Sequence, residues 1–184
     1  NIKIVSKKIN NKSKKIVLLN QIHSNNFHFI NKNLKTPSNK LTGDALITNK
    51  KNTAIGILTA DCAPILLHDE TNKMIAAIHA GWKGAYKGII EKVIKFMIKK
   101  GCSPKNITAV IGPCISVNSY QVRQNFIKKF IQQSKKNKVF FKKIRDKNYF
   151  NLNKYIYFQI KRLKIKKIDI IKKDTFITKN NFFS

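Results

Sequence analysis

The sequence predicts an α/β or α+β sandwich. Short apolar runs of strand length recur along the chain, and two or three segments with a 3.6-residue apolar stripe lie among them. No internal repeat or linker divides the 184 residues, which suffice for one domain with a real core. A hydrophobic fraction of 42% fits a soluble globular protein. No apolar run approaches the roughly 20 residues that span a bilayer, so no membrane partner is expected.

Residues 1–15 are polar and Lys-rich, with apolar residues only at Ile2, Ile4, Val5 and Ile9, and read as the end of a helix or a frayed segment. The chain starts at Asn1 and no apolar stretch follows the early lysines, so the start is not a signal peptide and the ends read as trimmed. Residues 15–19 are a strand. Residues 27–30 alternate apolar and polar, a half-buried strand with His28 exposed. Residues 31–42 form a loop, and 43–48 a strand opened by a turn in which Asp44 holds its own backbone. Residues 53–59 form an apolar strand. Pro64 breaks the ladder before 65–67, 68–72 turn with His68 solvated, and 74–78 return as a buried strand to His79. A helix over 85–100 carries Ile89, Ile90, Val93, Phe96 and Met97 on one stripe and ends at Gly101. Residues 107–111 are a strong strand, 120–122 a short one, 123–133 a helix and 134–138 a charged loop. Residues 139–150 show no clear pattern. Asn153 is the expected cap of a helix carrying Tyr155, Ile156, Gln159, Ile160 and Leu163. A last strand covers 167–171, and 174–184 are irregular.

The net charge is +30, from 38 Lys and Arg against eight acids. Such a charge suits a nucleic-acid binder. However, Lys, Asn and Ile fill the whole chain, and Arg occurs only at positions 123, 145 and 162, whereas sequence readers favour the Arg fork. The lysines read as spread over loops and helix faces rather than gathered around aromatics. No specific nucleic-acid partner is expected, only salt-sensitive adhesion to polyanions. Three cysteines, Cys62, Cys102 and Cys114, make no disulfide framework and suit a reducing cytoplasm. Cys102 reads as a plain thiol and Cys114 as a small buried residue.

The chemistry concentrates in residues 59–88. Cys62, beside Asp61, and His79 each end an apolar run. If the two runs pair, both side chains reach one pocket. A thiolate and an imidazole there suit either a zinc site or a Cys-His nucleophile pair. His23 lies in a polar turn just past a strand. Alone it reads as a hydrogen-bonded loop histidine rather than a ligand. Gly81 and Gly84 flank Trp82 and Lys83 where a strand gives way to a helix, so backbone N–H groups there can approach an anion.

The segments NQIHS, GDALIT, TADCAPILL, AAIHAGWKGAYKGI, IGPCISVNSYQV and DTFITKNNFFS occur in the order found in the laccase-domain family, and the chain resembles that family over nearly its whole length. Members have been called polyphenol oxidases, peptidoglycan editing factors and purine nucleoside phosphorylases. The resemblance implies one domain over 1–184 and an α+β fold, a four-layer α/β/β/α sandwich with mixed sheets, distantly like a cysteine-dependent toxin deamidase. It implies His23, Cys62 and His79 as ligands of zinc, with copper an alternative. The implied substrates are a purine nucleoside and phosphate. The implied activities are phosphorolysis of adenosine, inosine and methylthioadenosine, and deamination of adenosine by a zinc-bound hydroxide attacking C6. Beside that centre, Asp61 is expected as a supporting or acid–base group, and Lys83 as a catalytic charge for phosphate, against the plainer reading of a solvated lysine. The protein is expected as a cytoplasmic monomer or homodimer.

The chain departs from the family pattern at Lys83 (usually Arg), Gln121 (usually Glu), Asn151 (often Asp) and Asp174 (often Cys). It also lacks the S-L-N segment and the Tyr-Arg-Arg after F-F-S, which puts substrate contacts from those segments in doubt. The alternatives are a thiol hydrolase or amidase with Cys62 as nucleophile and His79 as base, acting on peptidoglycan precursors, and a basic binding module. Multicopper laccase chemistry needs more imidazoles than four histidines supply.

Overall fold

The structure is a computed structural model that describes residues 4–5, 16–31 and 39–184. Most of the expected segment 1–15 and of the expected loop 31–42 lies outside the described residues. In chain order the strands before the first helix are β1 (Ile16–Val17), β2 (Leu19–Asn20), β3 (Phe27–Ile30), β4 (Leu41–Thr42), β5 (Ala45–Thr48), β6 (Ala54–Ile55), β7 (Ala63–Asp69) and β8 (Met74–Ala80). Then come helices α1 (Trp82–Tyr86) and α2 (Ile89–Lys99), strands β9 (Ile107–Ile111) and β10 (Gln121–Val122), and helix α3 (Gln124–Gln133). Strands β11 (Phe141–Ile144) and β12 (Lys147–Phe150), helix α4 (Leu152–Arg162) and strand β13 (Lys167–Ile170) complete the chain.

Six strands form the main sheet in the order β13-β9-β7-β8-β5-β3. The sheet is mixed: β3/β5 and β9/β13 are parallel, while β5/β8, β7/β8 and β7/β9 are antiparallel. Side-chain alternation gives it two apolar faces. Ala45, Ile47, Ile65, Leu67, Ala76 and Ile78 are buried in the large core with α2 and α4. Leu46 and Ile30 join Val17 and Leu19 in a second cluster, under the short parallel pairs β1/β6 and β2/β4. The class is α+β with several mixed sheets, as expected.

A three-stranded antiparallel sheet, β10-β12-β11, supports an aromatic core around Phe130. That ring meets Tyr86, Phe126, Phe150 and Tyr155 with centroids 4.8–5.2 Å apart, within the range where aromatic pairs attract. Residues 139–150, which show no sequence pattern, supply its hairpin. The turn uses Arg145 and Asp146, both at positive φ (42° and 60°). That is the backbone of a tight hairpin turn without the usual Asn-Gly, so the signal was hidden.

Several elements differ from the sequence reading. Pro64 lies inside β7 rather than breaking it. It sits opposite His79, and its carbonyl accepts from Gly112 N at 2.8 Å. The missing N–H is tolerated because pairing with β9 begins only at Ile65. β7 runs on through His68 to Asp69, with His68 exposed as expected. The strand expected over 53–59 shortens to Ala54–Ile55. His28 is half-buried and its Nε2 lies 2.8 Å from Thr42 O. Helix α4 starts earlier: Asn151 is its cap, accepting from Lys154 N at 2.9 Å, while Asn153 Oδ1 accepts the Cys114 thiol.

The helix expected over 85–100 is two helices. Gly88, at φ 82°, turns the chain between α1 and α2 with nothing within 4 Å of where a Cβ would sit. Space therefore does not limit this position, but conformation does. Gly88→Ala is expected to lower stability by about 1 kcal/mol, read as a shift of the urea midpoint at unchanged slope. An unchanged midpoint would show that the left-handed turn does not constrain this junction.

Candidate metal centre

β7 and β8 pair antiparallel with Ala63 opposite Ala80. Cys62, just before β7, and Gly81, just after β8, therefore lie side by side at one end of the sheet. His79 points to the face opposite Ile78 and Ala80, where it is 3% exposed. The loop after β2 brings in His23. The ligand atoms of His23, Cys62 and His79 all lie within 4.8 Å of one another. Cys62 Sγ is 3.6 Å from His23 Nε2, and the two imidazoles meet edge to face at 4.7 Å.

Asp44 organises this triangle. It is fully buried. Its carboxylate lies 2.9 Å from His79 Nδ1 and accepts His23 N at 2.9 Å, Ser24 N at 2.6 Å and Ser24 Oγ at 2.6 Å. Its backbone carbonyl accepts His79 N at 2.8 Å. Burial alone would raise the Asp44 pKa, but the bonds from Ser24, His79 and His23 outweigh it and the net shift is downward. His79 shifts downward too: burial outweighs the support from Asp44, so the ring stays neutral. With Nδ1 held by Asp44, Nε2 is left as the free donor. The sequence reading of Asp44 as a turn residue is thus corrected. Its only sequence signal is an acid in a chain with eight of them.

His23 takes a left-handed backbone, φ 56°, at a cost of about 1 kcal/mol for a residue with a Cβ. The amides of residues 23 and 24 converging on Asp44 offset that cost. Gln21 adds a clamp that sequence reasoning missed. Its amide donates to Leu58 O and its carbonyl accepts Leu58 N, each at 2.7 Å, tying the His23 loop to the segment that leads to Cys62. Gly81 lets the ligands close up: a Cβ there would stand 2.7 Å from Cys62 Sγ and 3.1 Å from His23 Cδ2.

The other expected residues lie outside the triangle. Asp61 accepts Thr175 Oγ1 at 2.8 Å and Ser184 Oγ at 3.0 Å, so both its oxygens are bonded within the protein. Lys83 is exposed, its Nζ 5.8 Å from the Trp82 ring centroid. Cys114 is buried, as expected, and its backbone pairs with Asp174. Asp174 accepts Ser116 Oγ at 2.5 Å, Ser119 Oγ at 2.7 Å and Phe176 N at 3.0 Å. Cys102 is buried against Met74 Sδ. Burial, with Asp61 and Asp44 nearby, pushes the Cys62 thiol up to about 11.

The donor set fits a metal ion. Two imidazoles and one sulfur converge, one imidazole is oriented by a buried carboxylate, and a glycine leaves room beside the sulfur. Zinc and copper(I) both accept such donors.

The family described as multi-copper polyphenol oxidoreductase laccase matches residues 1–184. The chain belongs to that family. A purine nucleoside phosphorylase of Rickettsia prowazekii is 35% identical to this laccase-family chain over 173 residues, 93% of this chain and 70% of the relative. One of Rickettsia conorii is 35% identical over 167 residues, 90% and 68% of the two chains. The fold matches the hypothetical protein YfiH of Bacillus licheniformis with a TM-score of 0.84 at 23% identity, over 99% of this chain and 72% of that one. A Neisseria meningitidis protein gives 0.85 at 26% identity, with the same coverage.

Two tests follow from this geometry. Asp44→Asn and Gly81→Ala should each weaken metal binding roughly tenfold or more without removing a ligand, measured by competition with a chromophoric chelator. Unchanged affinity in both would show that neither the carboxylate nor the space at Gly81 shapes the site. Asp174 has a pKa set by burial, which raises it, and by bonds from Ser116 and Ser119, which overcome that rise, leaving it lowered. A lowered native pKa stabilises above the unfolded value near 4, and that stability is lost as pH falls through the native pKa. Asp174→Asn should therefore cost about 2 kcal/mol at pH 7 and flatten the acid limb of the stability curve. A variant with the wild-type acid limb would refute this role.

Proposed function

We propose that the protein is a zinc-dependent purine nucleoside enzyme that cleaves adenosine, inosine and methylthioadenosine with phosphate and also deaminates adenosine. The observation that carries this reading is the convergence of His23, Cys62 and His79 within 4.8 Å, with His79 Nδ1 held by buried Asp44. The relatives named purine nucleoside phosphorylase support the substrate class.

His23 Nε2, His79 Nε2 and Cys62 Sγ would hold the metal. When bound, it supplies Lewis acidity, enough to make water a nucleophile near neutral pH. Asp44 holds the His79 ring and the His23 loop in place, so the ligands need no rearrangement during turnover. Lys83, with the amides after Gly81, supplies positive charge for phosphate by swinging from its rest over Trp82. Asp61 supports the Cys62 loop through Thr175 and Ser184 and receives or returns a proton once a hydroxyl leaves it. Phosphorolysis breaks the C1′–N9 bond, leaving the purine with the bonding pair and C1′ bonded to phosphate oxygen. Deamination exchanges the C6 amine for a water oxygen and releases ammonia. A cytoplasmic setting suits a thiol ligand kept reduced.

The competing reading, Cys62 as a nucleophile with His79 as base, needs an ionised thiol. Without a metal, burial and two carboxylates hold the proton on sulfur, which opposes a free nucleophile, whereas a metal held by His23 and His79 would displace that proton.

The test compares wild type with Cys62→Ala in metal content and in turnover of adenosine, with and without phosphate. The expected result is about one zinc per chain, adenine formed only with phosphate, inosine formed without it, and loss of metal and both products in the variant. Metal-free protein that hydrolyses an ester or amide through Cys62 would overturn the zinc reading. Metal without purine turnover would overturn the substrate assignment.

A further inference from the structure

Away from the metal centre, two cavities lie along α4 and β13. One, of about 750 Å³, is lined by Ser116, Asn118, Ser119, Asn153, the Lys154 stem and residues of the β13 end. The other, of about 690 Å³, lies between the C-terminal part of α4 and residues 103–105. They share one residue, Tyr157, which lines both.

The charge around them is one-sided. Lys154, Lys172 and Lys173 line the first cavity, and Lys105, Lys161, Lys164 and Lys166 line the second. The single acid on either lining is Asp174, whose carboxylate is taken up by Ser116, Ser119 and Phe176 N. Among the described residues the Lys–acid ion pairs are Lys95–Glu91 and Lys143–Asp146, neither in these cavities. Tyr157 is half-buried, and Lys161 Nζ lies 5.7 Å from its ring centroid. Seven lysines therefore line two cavities that share one aromatic residue, and one of them, Lys161, lies over its ring, unlike the spread read from sequence.

We propose that the two cavities form one groove that binds single-stranded nucleic acid without sequence preference, independently of the reaction at the metal centre. Six of the lining lysines offer charge to the phosphates of a flexible strand, while Lys154 Nζ donates to Val139 O at 3.2 Å and contributes its stem. Tyr157 stands between the cavities as a face on which a base stacks. Asn118 and the Asn153 NH2 are small neutral groups that meet any base edge, while Ser119 Oγ and Asn153 Oδ1 are held by Asp174 and Cys114. Lysine rather than arginine fits this task, because point charges hold phosphates without reading bases. A base stacks on a side-chain ring only when it is splayed out of a duplex, which favours a single strand. Long-range attraction from the +30 net charge brings the strand to the surface but does not choose where it rests.

The test uses fluorescein-labelled dodecamers of deoxythymidine and of uridine, read by anisotropy from 50 to 300 mM salt. Three forms of the full chain are compared: wild type, the groove triple variant Lys161→Glu/Lys164→Glu/Lys166→Glu, and a control triple variant Lys51→Glu/Lys99→Glu/Lys128→Glu with the same net charge, whose positions line neither cavity. The groove variant should bind at least tenfold more weakly than the control, with a salt slope reduced by about 2 relative to wild type, as three lost contacts to a single strand require. Tyr157→Leu should weaken binding about fivefold or more at an unchanged slope. Photocrosslinking of bound oligonucleotide to wild type should label the residues that line the two cavities, within 103–105, 116–119, 151–168 and 170–180, a result that does not depend on any variant folding. Equal weakening in the two triple variants, no binding at 50 mM salt, or crosslinks elsewhere would overturn the proposal. So would phosphatidylserine vesicles that displace the strand completely and bind through the same three lysines.

Discussion

One buried carboxylate holds the centre together. Asp44 is fully enclosed, yet it is surrounded by donors: three backbone amides, a hydroxyl and an imidazole. An isolated charge there would be prohibitively costly, and only this ring of donors makes it tolerable. The dependence is mutual. Without Asp44, the amides of residues 23 and 24 would be stranded, His23 would have no reason to hold a left-handed backbone, and His79 could turn its ring. Three segments distant in sequence therefore share one electrostatic anchor, and the donor triangle is a by-product of satisfying it.

The main sheet supplies the rigidity that this anchor needs. Asp44 immediately precedes β5, and His79 lies near the end of β8. These strands are neighbours in the middle of the sheet. Their other residues interdigitate with α2 and α4 on one face and with the short parallel pairs on the other. Moving His79 by an ångström would mean shifting a strand packed on both faces, which close-packed interiors resist. The softer part is the His23 loop, held by polar bonds and by the Gln21 clamp to residue 58. A metal that contracts or expands its coordination sphere would draw that loop and leave the strands in place.

Much of this was legible in the sequence because it rests on local patterns. The apolar runs ending at Cys62 and His79 announced two strands whose ends could meet, and the strict register of β7 and β8 makes them meet. The stripe on 89–97 announced a helix. Less legible was anything that depends on a partner far away. His23 looked ordinary because its role comes from Asp44, 21 residues on, and Asp44 looked like a turn residue because burial leaves no local mark. The hairpin at 141–150 escaped notice because Arg145 and Asp146 take conformations usually reserved for Asn and Gly. The helix break at Gly88 was overlooked because a single glycine within a continuous apolar stripe reads as tolerated rather than as a turn. The lysines of residues 154–173 are close in sequence, but that they line two adjoining cavities with Lys105 shows only in the fold.

The bonds of Asp61 also set a timetable for the protein's manufacture. Its side chain is held by Thr175 and Ser184, and its carbonyl by Ile115, so the loop that carries Cys62 is fixed by residues made long after it. His23, Cys62 and His79 lie within 57 residues of one another, whereas the bonds that hold the Cys62 loop come from residues 115, 175 and 184. Contacts of such long sequence separation form late and slowly. The Cys62 loop is therefore expected to settle after the strands that flank it.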